Sequence, residues 1–239
     1  IFTQFCLDIA LPMLFSFFIN INKSYHFRFI MSKLLVFDFD GTLADTFDIA
    51  LQCANQLSRR FGYQKIKDSP QLRRKGIRSV IKEDLGLSTF QLPAYTSALK
   101  ALVKNNIHRA SLFPDIKNVL DKLHKTYSIG IPSSNSEDSI RKTLDRYHVQ
   151  SIDFIESDSS LFGKHRVLQR IIKKQHYNKK DVIYIGDEIR DIEACKKIGL
   201  DIIAVGWGYN SLEALRAHHP TFLAKMPKKL IPILAHYKT

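Results

Sequence analysis

Short apolar runs alternate with longer amphipathic segments along most of the chain after residue 33. The apolar runs are bounded by Asp, Gly or Ser, which is typical of strands that are buried on both faces. These runs lie at 34–39, 127–131, 152–156, 182–185 and 202–205. Segments with helical periodicity separate the later runs, at 114–125, 136–147, 164–176 and 189–198. The alternation predicts an α/β fold, a Rossmann-like parallel sheet with helices on both faces.

The stretch between residues 46 and 111 has a different pattern. It contains three helical patterns, at 47–61, 71–85 and 92–107, and no convincing strand. A helical insert after the first strand is the simplest account. We therefore expect an α/β core of residues 31–46 and 112–239 and a small helical cap of residues 47–111.

Residues 1–30 are rich in Phe, Ile and Leu and allow three interpretations. A secretory signal would carry a basic start and a small-residue cleavage site. A membrane anchor would need about 20 apolar residues with few polar breaks. The apolar stretch here contains Asp8 and Pro12 and meets neither description well. We favour a translation start at Met31, with a membrane tether as the alternative, and leave the segment out of the fold argument.

Two acids follow the first predicted strand in the segment Asp38-Phe39-Asp40-Gly41-Thr42. In extended backbone, residues i and i+2 point to the same side, so Asp38 and Asp40 bring two carboxylates together. Close carboxylates repel unless a cation lies between them, and Mg²⁺ is a hard cation that prefers such ligands. Gly41 permits a sharp exit from the strand and a close approach of the backbone to a ligand.

Three further features lie at predicted strand ends, the edge where open α/β sheets bind ligands. Residues 133–136, Ser-Ser-Asn-Ser, precede a helix and offer hydroxyl and N–H groups to a phosphate, although, taken alone, they are better explained by plain helix capping. Lys164 matters only as a cation beside an anionic group. Asp187 and Asp191 are four residues apart, so both carboxylates can face one site if a helix starts there.

Together and in this order, these features resemble the haloacid dehalogenase superfamily, in its phosphoglycolate phosphatase-like branch with a small helical cap. The matching segments are Asp38-x-Asp40-Gly41-Thr42 for the first motif, Ser134 for the second, Lys164 for the third and Gly186-Asp187-x-x-x-Asp191 for the fourth. Residues 205–210 are also similar to that branch. The resemblance covers the chain from about residue 33 to its end.

The resemblance implies that Asp38 attacks phosphorus to form an aspartyl-phosphate. It implies that Asp40 protonates the leaving oxygen and then deprotonates the attacking water. The implied Mg²⁺ ligands are Asp38, Asp40 through its backbone carbonyl, Asp187 and Asp191. The implied phosphate-binding residues are Gly41, Thr42, Ser134, Asn135 and Lys164. Dehalogenases of the superfamily lack the second acid of the first motif, so Asp40 argues for phosphate chemistry.

The cap usually selects the substrate in such enzymes, and here it carries a basic cluster at Arg73, Arg74, Lys75 and Arg78. The cluster could contact an acidic leaving group, and a solvated helix face explains it equally well. We expect a small phosphorylated metabolite, phosphoglycolate-like, as substrate. The alternatives are a 5′-nucleotidase or phosphomutase on the same core, or a basic nucleic-acid-binding protein with a phosphatase-like fold.

Composition adds little to this interpretation. The formal net charge of +13 favours an anionic partner, but the Lys and Arg residues are spread along the chain. The three cysteines form no C-x-x-C, so neither a disulfide framework nor a zinc site is indicated. That pattern fits a reducing, cytoplasmic location. We expect no nucleic-acid partner, and no membrane partner unless residues 1–30 are native.

Overall fold

The computed structural model describes residues 33–157 and 163–237. The interpretation of residues 1–30 therefore lies outside the described residues. The strands, in chain order, are β1 (Leu34–Phe37), β2 (Ala44–Asp45), β3 (Ser111–Leu112), β4 (Ser128–Ser133), β5 (Phe154–Ser157), β6 (Val182–Gly186), β7 (Asp201–Val205) and β8 (Phe222–Ala224). Six of them form one parallel sheet in the order β5-β4-β1-β6-β7-β8. The predicted Rossmann-like α/β fold is confirmed.

Helices cover both faces of this sheet. In chain order, the helices are α1 (Phe47–Phe61), α2 (Pro70–Lys75), α3 (Ile77–Glu83), α4 (Gln91–Asn106), α5 (Ile116–Leu123), α6 (Glu137–Arg146), α7 (Lys164–Lys174), α8 (Ile189–Ile198), α9 (Leu212–Ala217) and α10 (Leu230–His236). Those that pack on the sheet are α5 to α10. Alternation along β1 divides the core: Leu35 and Phe37 pack with α5 and α6, whereas Leu34 and Val36 pack with α7 and α8. Within residues 33–157 and 163–237, no helix has the length and apolar character needed to cross a bilayer.

The first four helices pack around an apolar cluster of their own, which includes Leu57, Leu72 and Tyr95. Their segment leaves and re-enters the core through β2 and β3, which pair antiparallel. The helix expected over 71–85 is broken at Gly76, whose φ of 81° lies in the left-handed region. We refer to residues 47–111 as the helical insert.

The edge strand β8 was not predicted from the sequence. Strand β8 pairs with β7 and has only three residues, too few to show a hydrophobic period.

Pro132 lies inside β4, although proline removes a ladder donor. Pairing of β4 with β1 ends at Gly130, so Pro132 lies beyond it and pairs only with Glu156 of β5.

Candidate active site

Neighbouring strands bring the distant acids of the sequence to one edge of the sheet. Asp38 follows β1 and Asp187 follows β6, and these strands pair in parallel with Phe37 opposite Ile185. The N–H of Asp38 continues this pairing by donating to the carbonyl of Ile185 at 2.8 Å. Since parallel strands end at the same edge, the two carboxylates share one site.

Three carboxylates converge there. Asp38, Asp187 and Asp191 each offer an oxygen, and these oxygens lie within 4.8 Å of one another. Asp38 is 4% exposed, and Asp187 and Asp191 are fully buried. Nζ of Lys164 lies 2.6 Å from Oδ2 of Asp38 and 2.5 Å from Oδ1 of Asp191. A buried cation therefore joins the first, third and fourth sequence motifs.

Asp187 is held tightly on all sides. Its Oδ1 accepts a hydrogen bond from Oγ1 of Thr42 at 2.7 Å, and its Oδ2 accepts one from the N–H of Tyr209 at 2.7 Å. A Cβ at Gly41 would lie 2.2 Å from Oδ2, and one at Gly208 would lie 2.3 Å from it. Glycine is therefore required at both positions, because any side chain would displace this carboxylate.

Asp191 lies in the first turn of α8, facing the site. Its Oδ2 accepts from the N–H of Glu188 at 3.1 Å, which closes a capping arrangement at the helix start. A Cβ at Gly186 would lie 2.4 Å from the same oxygen. Because α8 begins between Asp187 and Asp191, their four-residue spacing brings both carboxylates to one site, as the sequence predicted.

The electrostatics of this cluster favour an added cation. Burial, reinforced by the charges of Glu188 and Asp191, raises the pKa of Asp187 well above its ordinary value. Burial also raises the pKa of Asp191, against the opposing effect of Lys164. For Lys164, burial lowers the pKa, but Asp191 and Asp38 outweigh it and the pKa lies above its ordinary value. Lys164 and Arg190, which both lower the pKa of Asp191, thus compensate the acids only in part.

Asp40 is oriented by the loop after β4. Oδ2 of Asp40 accepts from Nδ2 of Asn135 at 2.8 Å. The backbone of Asn135 is fixed in turn, since its N–H donates to Oγ of Ser133 at 3.1 Å and its carbonyl accepts from Oγ of Ser157 at 2.9 Å. Asn135, expected at a phosphate, is therefore in contact with the second acid of the first motif.

The side-chain hydroxyl at the end of β4 belongs to Ser133. Ser133 is the last residue of β4 and is 7% exposed, whereas Ser134 is exposed. The sequence contains two adjacent serines, and only the position of the strand end tells them apart. The strand therefore ends one residue before Ser134, the residue that the motif match selected.

Arg73 of the basic cluster contacts the core. Its NH1 donates to the carbonyl of Gly208 at 3.1 Å, and its Nε and NH2 bond the carboxylate of Asp68, each at 3.0 Å. Its guanidinium lies 3.3 Å from the centroid of the Phe47 ring. This side chain is therefore already fully engaged between the helical insert and the core.

The other basic residues of the cluster are placed differently. Lys75 bonds both oxygens of Asp84 at 2.9 and 3.0 Å, and Arg74 is exposed. Arg78 lies in α3, and its side chain is outside the described part of the structure. Of the described side chains of this cluster, Arg73 thus contacts the loop after β7 and Lys75 is paired within the insert.

Residues 206–210, which follow β7, make hydrogen bonds at the site that the sequence did not predict. Tyr209 reaches Asp187 through its N–H, and its hydroxyl lies 2.9 Å from Oγ1 of Thr46. Nε1 of Trp207 donates to the carbonyl of Thr42 at 3.0 Å. The available signal was the position of this Gly- and aromatic-rich segment after a strand at the same sheet edge.

The fold and the acid cluster agree with a comparison against known families. Residues 35–205 match the model of the haloacid dehalogenase-like hydrolase family. The match covers well over half of the chain, and the chain belongs to this family.

Comparison with individual proteins shows which branch of the family this chain is similar to. The phosphoglycolate phosphatase of Synechococcus elongatus is 31% identical over 203 residues, which cover 83% of this chain and 95% of the relative. That of Vibrio vulnificus is 24% identical over 219 residues, covering 84% and 96%. Among solved structures, a haloacid dehalogenase-like family hydrolase from Streptococcus pneumoniae has a TM-score of 0.71 at 21% identity, covering 84% of this chain and 98% of its own. The chain is thus similar to the phosphoglycolate phosphatase branch of the family.

Proposed function

We propose that this protein is a Mg²⁺-dependent phosphatase that hydrolyses a small phosphomonoester through an aspartyl-phosphate on Asp38. The phosphatase class follows from the family and from the relatives' names. The observation that carries the rest is the convergence of Asp38, Asp187 and Asp191 with Lys164 at one sheet edge. Such a cluster combines a nucleophile, anionic metal ligands and a cation for the phosphoryl oxygens.

The donor set fits magnesium. Its members are carboxylates, the ligands that this hard cation prefers, and they include no thiolate or imidazole. Their burial and mutual repulsion would be relieved by a divalent cation. We assign Asp38, the backbone carbonyl of Asp40 and Asp187 to the metal, with Asp191 as a direct or water-mediated ligand. Bound there, Mg²⁺ would neutralise charge on the phosphoryl oxygens.

We assign Asp38 as the nucleophile. Its Oδ1 accepts from the N–H of Phe39 at 3.0 Å and its Oδ2 from Lys164, so its carboxylate has a fixed orientation at the strand end. Attack on phosphorus forms an O–P bond and expels the leaving oxygen. Positioning of this kind supplies most of what phosphoryl transfer needs.

Asp40 serves as the acid and base in this mechanism. It lies two residues from Asp38, and Asn135 holds one of its oxygens. Asp40 would donate a proton to the leaving oxygen and then take one from the water that cleaves the aspartyl-phosphate. Asn135 would act by orienting Asp40, which is a different role from the phosphate contact expected from the sequence.

Lys164 and the strand-end hydroxyl are assigned to the phosphoryl oxygens. Lys164 is the buried cation nearest Asp38, and Ser133 ends the strand beside β1. We keep Ser134 for its backbone N–H, and Gly41 and Thr42 for the loop that follows Asp38. Backbone N–H groups and cations of this kind stabilise the charge that develops in the transition state.

We propose phosphoglycolate, or a close analogue, as the substrate, and residues 47–111 as a cap over the site. Support comes from the Synechococcus elongatus relative and from the contact of the helical insert with the loop after β7. The exposed Arg74 remains a candidate for the carboxylate of the substrate.

A phosphate-release screen on protein that starts at Met31 tests this assignment. The panel contains phosphoglycolate, 5′-nucleotides, sugar phosphates and p-nitrophenyl phosphate, each with Mg²⁺ and with EDTA. We expect Mg²⁺-dependent release, with phosphoglycolate having the highest kcat/KM. A preference for 5′-nucleotides, or isomerised sugar phosphates, would replace this substrate by the nucleotidase or mutase alternative.

The variant Asp38→Asn should lower kcat by a factor of about 10³ or more, because it removes the nucleophile. Asp45→Asn is the matched control, since Asp45 is an exposed acid in the same segment of chain. Activity of the Asp38 variant within a few-fold of the control would refute the mechanism.

A further inference from the structure

Asn210 lies at the boundary between the core and the helical insert. It follows β7 in the chain and is only 3% exposed. Its backbone and both ends of its side-chain amide take part in hydrogen bonds that reach two different parts of the molecule. A buried asparagine with both ends of its side-chain amide in hydrogen bonds fixes the relative position of the groups it joins.

One half of this network holds the acid cluster. Oδ1 of Asn210 accepts from the N–H of Ile189, the first residue of α8, at 3.0 Å. The backbone N–H of Asn210 donates to the carbonyl of Asp187 at 3.3 Å, and the preceding N–H bonds the Asp187 carboxylate. Asp191 lies in the first turn of α8, which begins at Ile189. Asn210 therefore orients the segment that carries both acids.

The other half holds helix α2 of the insert. Nδ2 of Asn210 donates to the carbonyl of Arg73 at 3.1 Å and lies 3.5 Å from that of Arg74. The N–H of Ser211 donates to the same Arg73 carbonyl at 2.8 Å. These carbonyls belong to the last turn of α2, where a helix leaves acceptors unsatisfied. The core therefore supplies the donors that this helix end lacks.

The approach of the insert to Asn210 is close. A Cβ at Gly76 would lie 3.2 Å from Nδ2 of Asn210, so the left-handed glycine lets the chain pass the amide. In the opposite direction, the Arg73 side chain donates to the carbonyl of Gly208. The contact is therefore reciprocal and extends over the whole end of α2.

We propose that Asn210 is a positioning residue that couples docking of α2 to the geometry of the Asp187–Asp191 metal site. The two ends of one planar amide cannot move independently, so displacement of α2 is transmitted to the start of α8. This inference rests on the proposed function, because it assumes that these acids bind a metal. Coupling of this kind is reciprocal: if docking orders the acids, metal binding must stabilise docking.

Asn210→Asp separates the two halves of the network. The substituted carboxylate keeps the acceptor for Ile189 but replaces the Nδ2 donor by an oxygen facing the Arg73 carbonyl. Asn55→Asp is a matched control, because the Asn55 amide bridges the carbonyl and N–H of Ile66 at 2.8 and 2.7 Å entirely within the insert. Both variants remove one donor to a backbone carbonyl, but only Asn210→Asp removes a hydrogen bond between the insert and the core.

Hydrogen exchange of residues 70–75 measures docking, with and without saturating Mn²⁺, and Mn²⁺ binding is followed separately by EPR. In wild-type protein and Asn55→Asp, we expect the metal to slow exchange about fivefold or more. In Asn210→Asp, the slowing should fall below about twofold at saturating metal. A purely structural role would speed exchange equally with and without metal, so the ratio of the two rates isolates coupling.

Each outcome decides the question. Metal-dependent slowing that persists in Asn210→Asp, or that is lost equally in Asn55→Asp, would overturn the coupling. Absence of slowing in wild-type protein that binds Mn²⁺ would do the same and leave the proposed function intact. Wild-type protein that binds no Mn²⁺ would refute the metal assignment and the coupling with it. Asn210→Ala adds no charge, and the same loss is expected if the aspartate variant does not fold.

Discussion

Replacement of Lys164 by methionine should destabilise the metal-free protein strongly. The lysine amino group lies 2.6 Å from the carboxylate of Asp38 and 2.5 Å from that of Asp191. The exposed fractions of these side chains are 15% for the lysine, 6% for Asp38 and 0% for Asp191. Methionine has a side chain one atom shorter than that of lysine, carries no charge, and removes the ion-pair partner of two buried acids.

The size of the effect can be bounded. Removing one partner of a buried ion pair costs about 3–5 kcal/mol. The cost cannot exceed the free energy of protonating the carboxylate that has lost its partner, because that group can take up a proton. From the reference pKa of 3.8, protonation at about pH 7.5 costs about 5 kcal/mol. For a protein of this size, each kcal/mol corresponds to about 2–4 °C, so the melting temperature should fall by about 6–20 °C.

Thermal unfolding in EDTA, followed by circular dichroism, measures this difference. Lys117→Met is the control: the Lys117–Asp121 pair has the same N–O distance, 2.5 Å, but both side chains are 41% exposed. An exposed pair contributes at most about 1 kcal/mol, or about 4 °C. Saturating Mg²⁺ should restore part of the loss at Lys164. A Lys164 variant that melts no lower than the control would refute the electrostatic account of the site.

Three further predictions concern the glycine loop, the acids and the basic cluster. Gly41→Ala should cost about 2 kcal/mol more than Gly62→Ala in chemical denaturation, because φ is 77° and 75° at the two sites but only the Gly41 Cβ meets an atom, Oδ2 of Asp187. The raised pKa of Asp187 means that the folded state holds a proton that the unfolded state releases. Metal-free stability should thus fall as pH rises from 3.8 through the raised value, and the Mg²⁺-induced rise in melting temperature should be larger at about pH 8 than at about pH 5.5. A constant rise would contradict this. Removal of the exposed Arg74 side chain should raise KM for the true substrate more than for p-nitrophenyl phosphate, and equal effects would end the specificity assignment.

The sequence predicted the core of the fold because that part follows local rules. Buried parallel strands are continuous apolar runs, and the acids at 38, 187 and 191 follow such runs directly. Their convergence also depends on β1 and β6 being neighbours, which the sheet order shows. The magnesium ion, the division into core and cap, and the cytoplasmic location stay predictions.

Other features depend on contacts that no local pattern encodes. Gly76 ends one helix and starts another because the chain must pass Asn210. The choice between Ser133 and Ser134 depends on where β4 ends, within one residue. A run of basic residues does not show that Arg73 is engaged by the core. The contacts of Gly76 and Arg73 join residues more than a hundred positions apart, and a pattern of hydrophobic positions carries no information about them.

Identification of the phosphorylated residue tests the central claim most directly. Protein turning over phosphoglycolate with Mg²⁺ is quenched in acid within a single turnover, digested and examined by peptide mass spectrometry. The account predicts one acid-stable, base-labile phosphoryl group on the peptide that contains Asp38, absent from Asp38→Asn. A phosphoryl group on another residue, or none on the enzyme while phosphate is released, would contradict it.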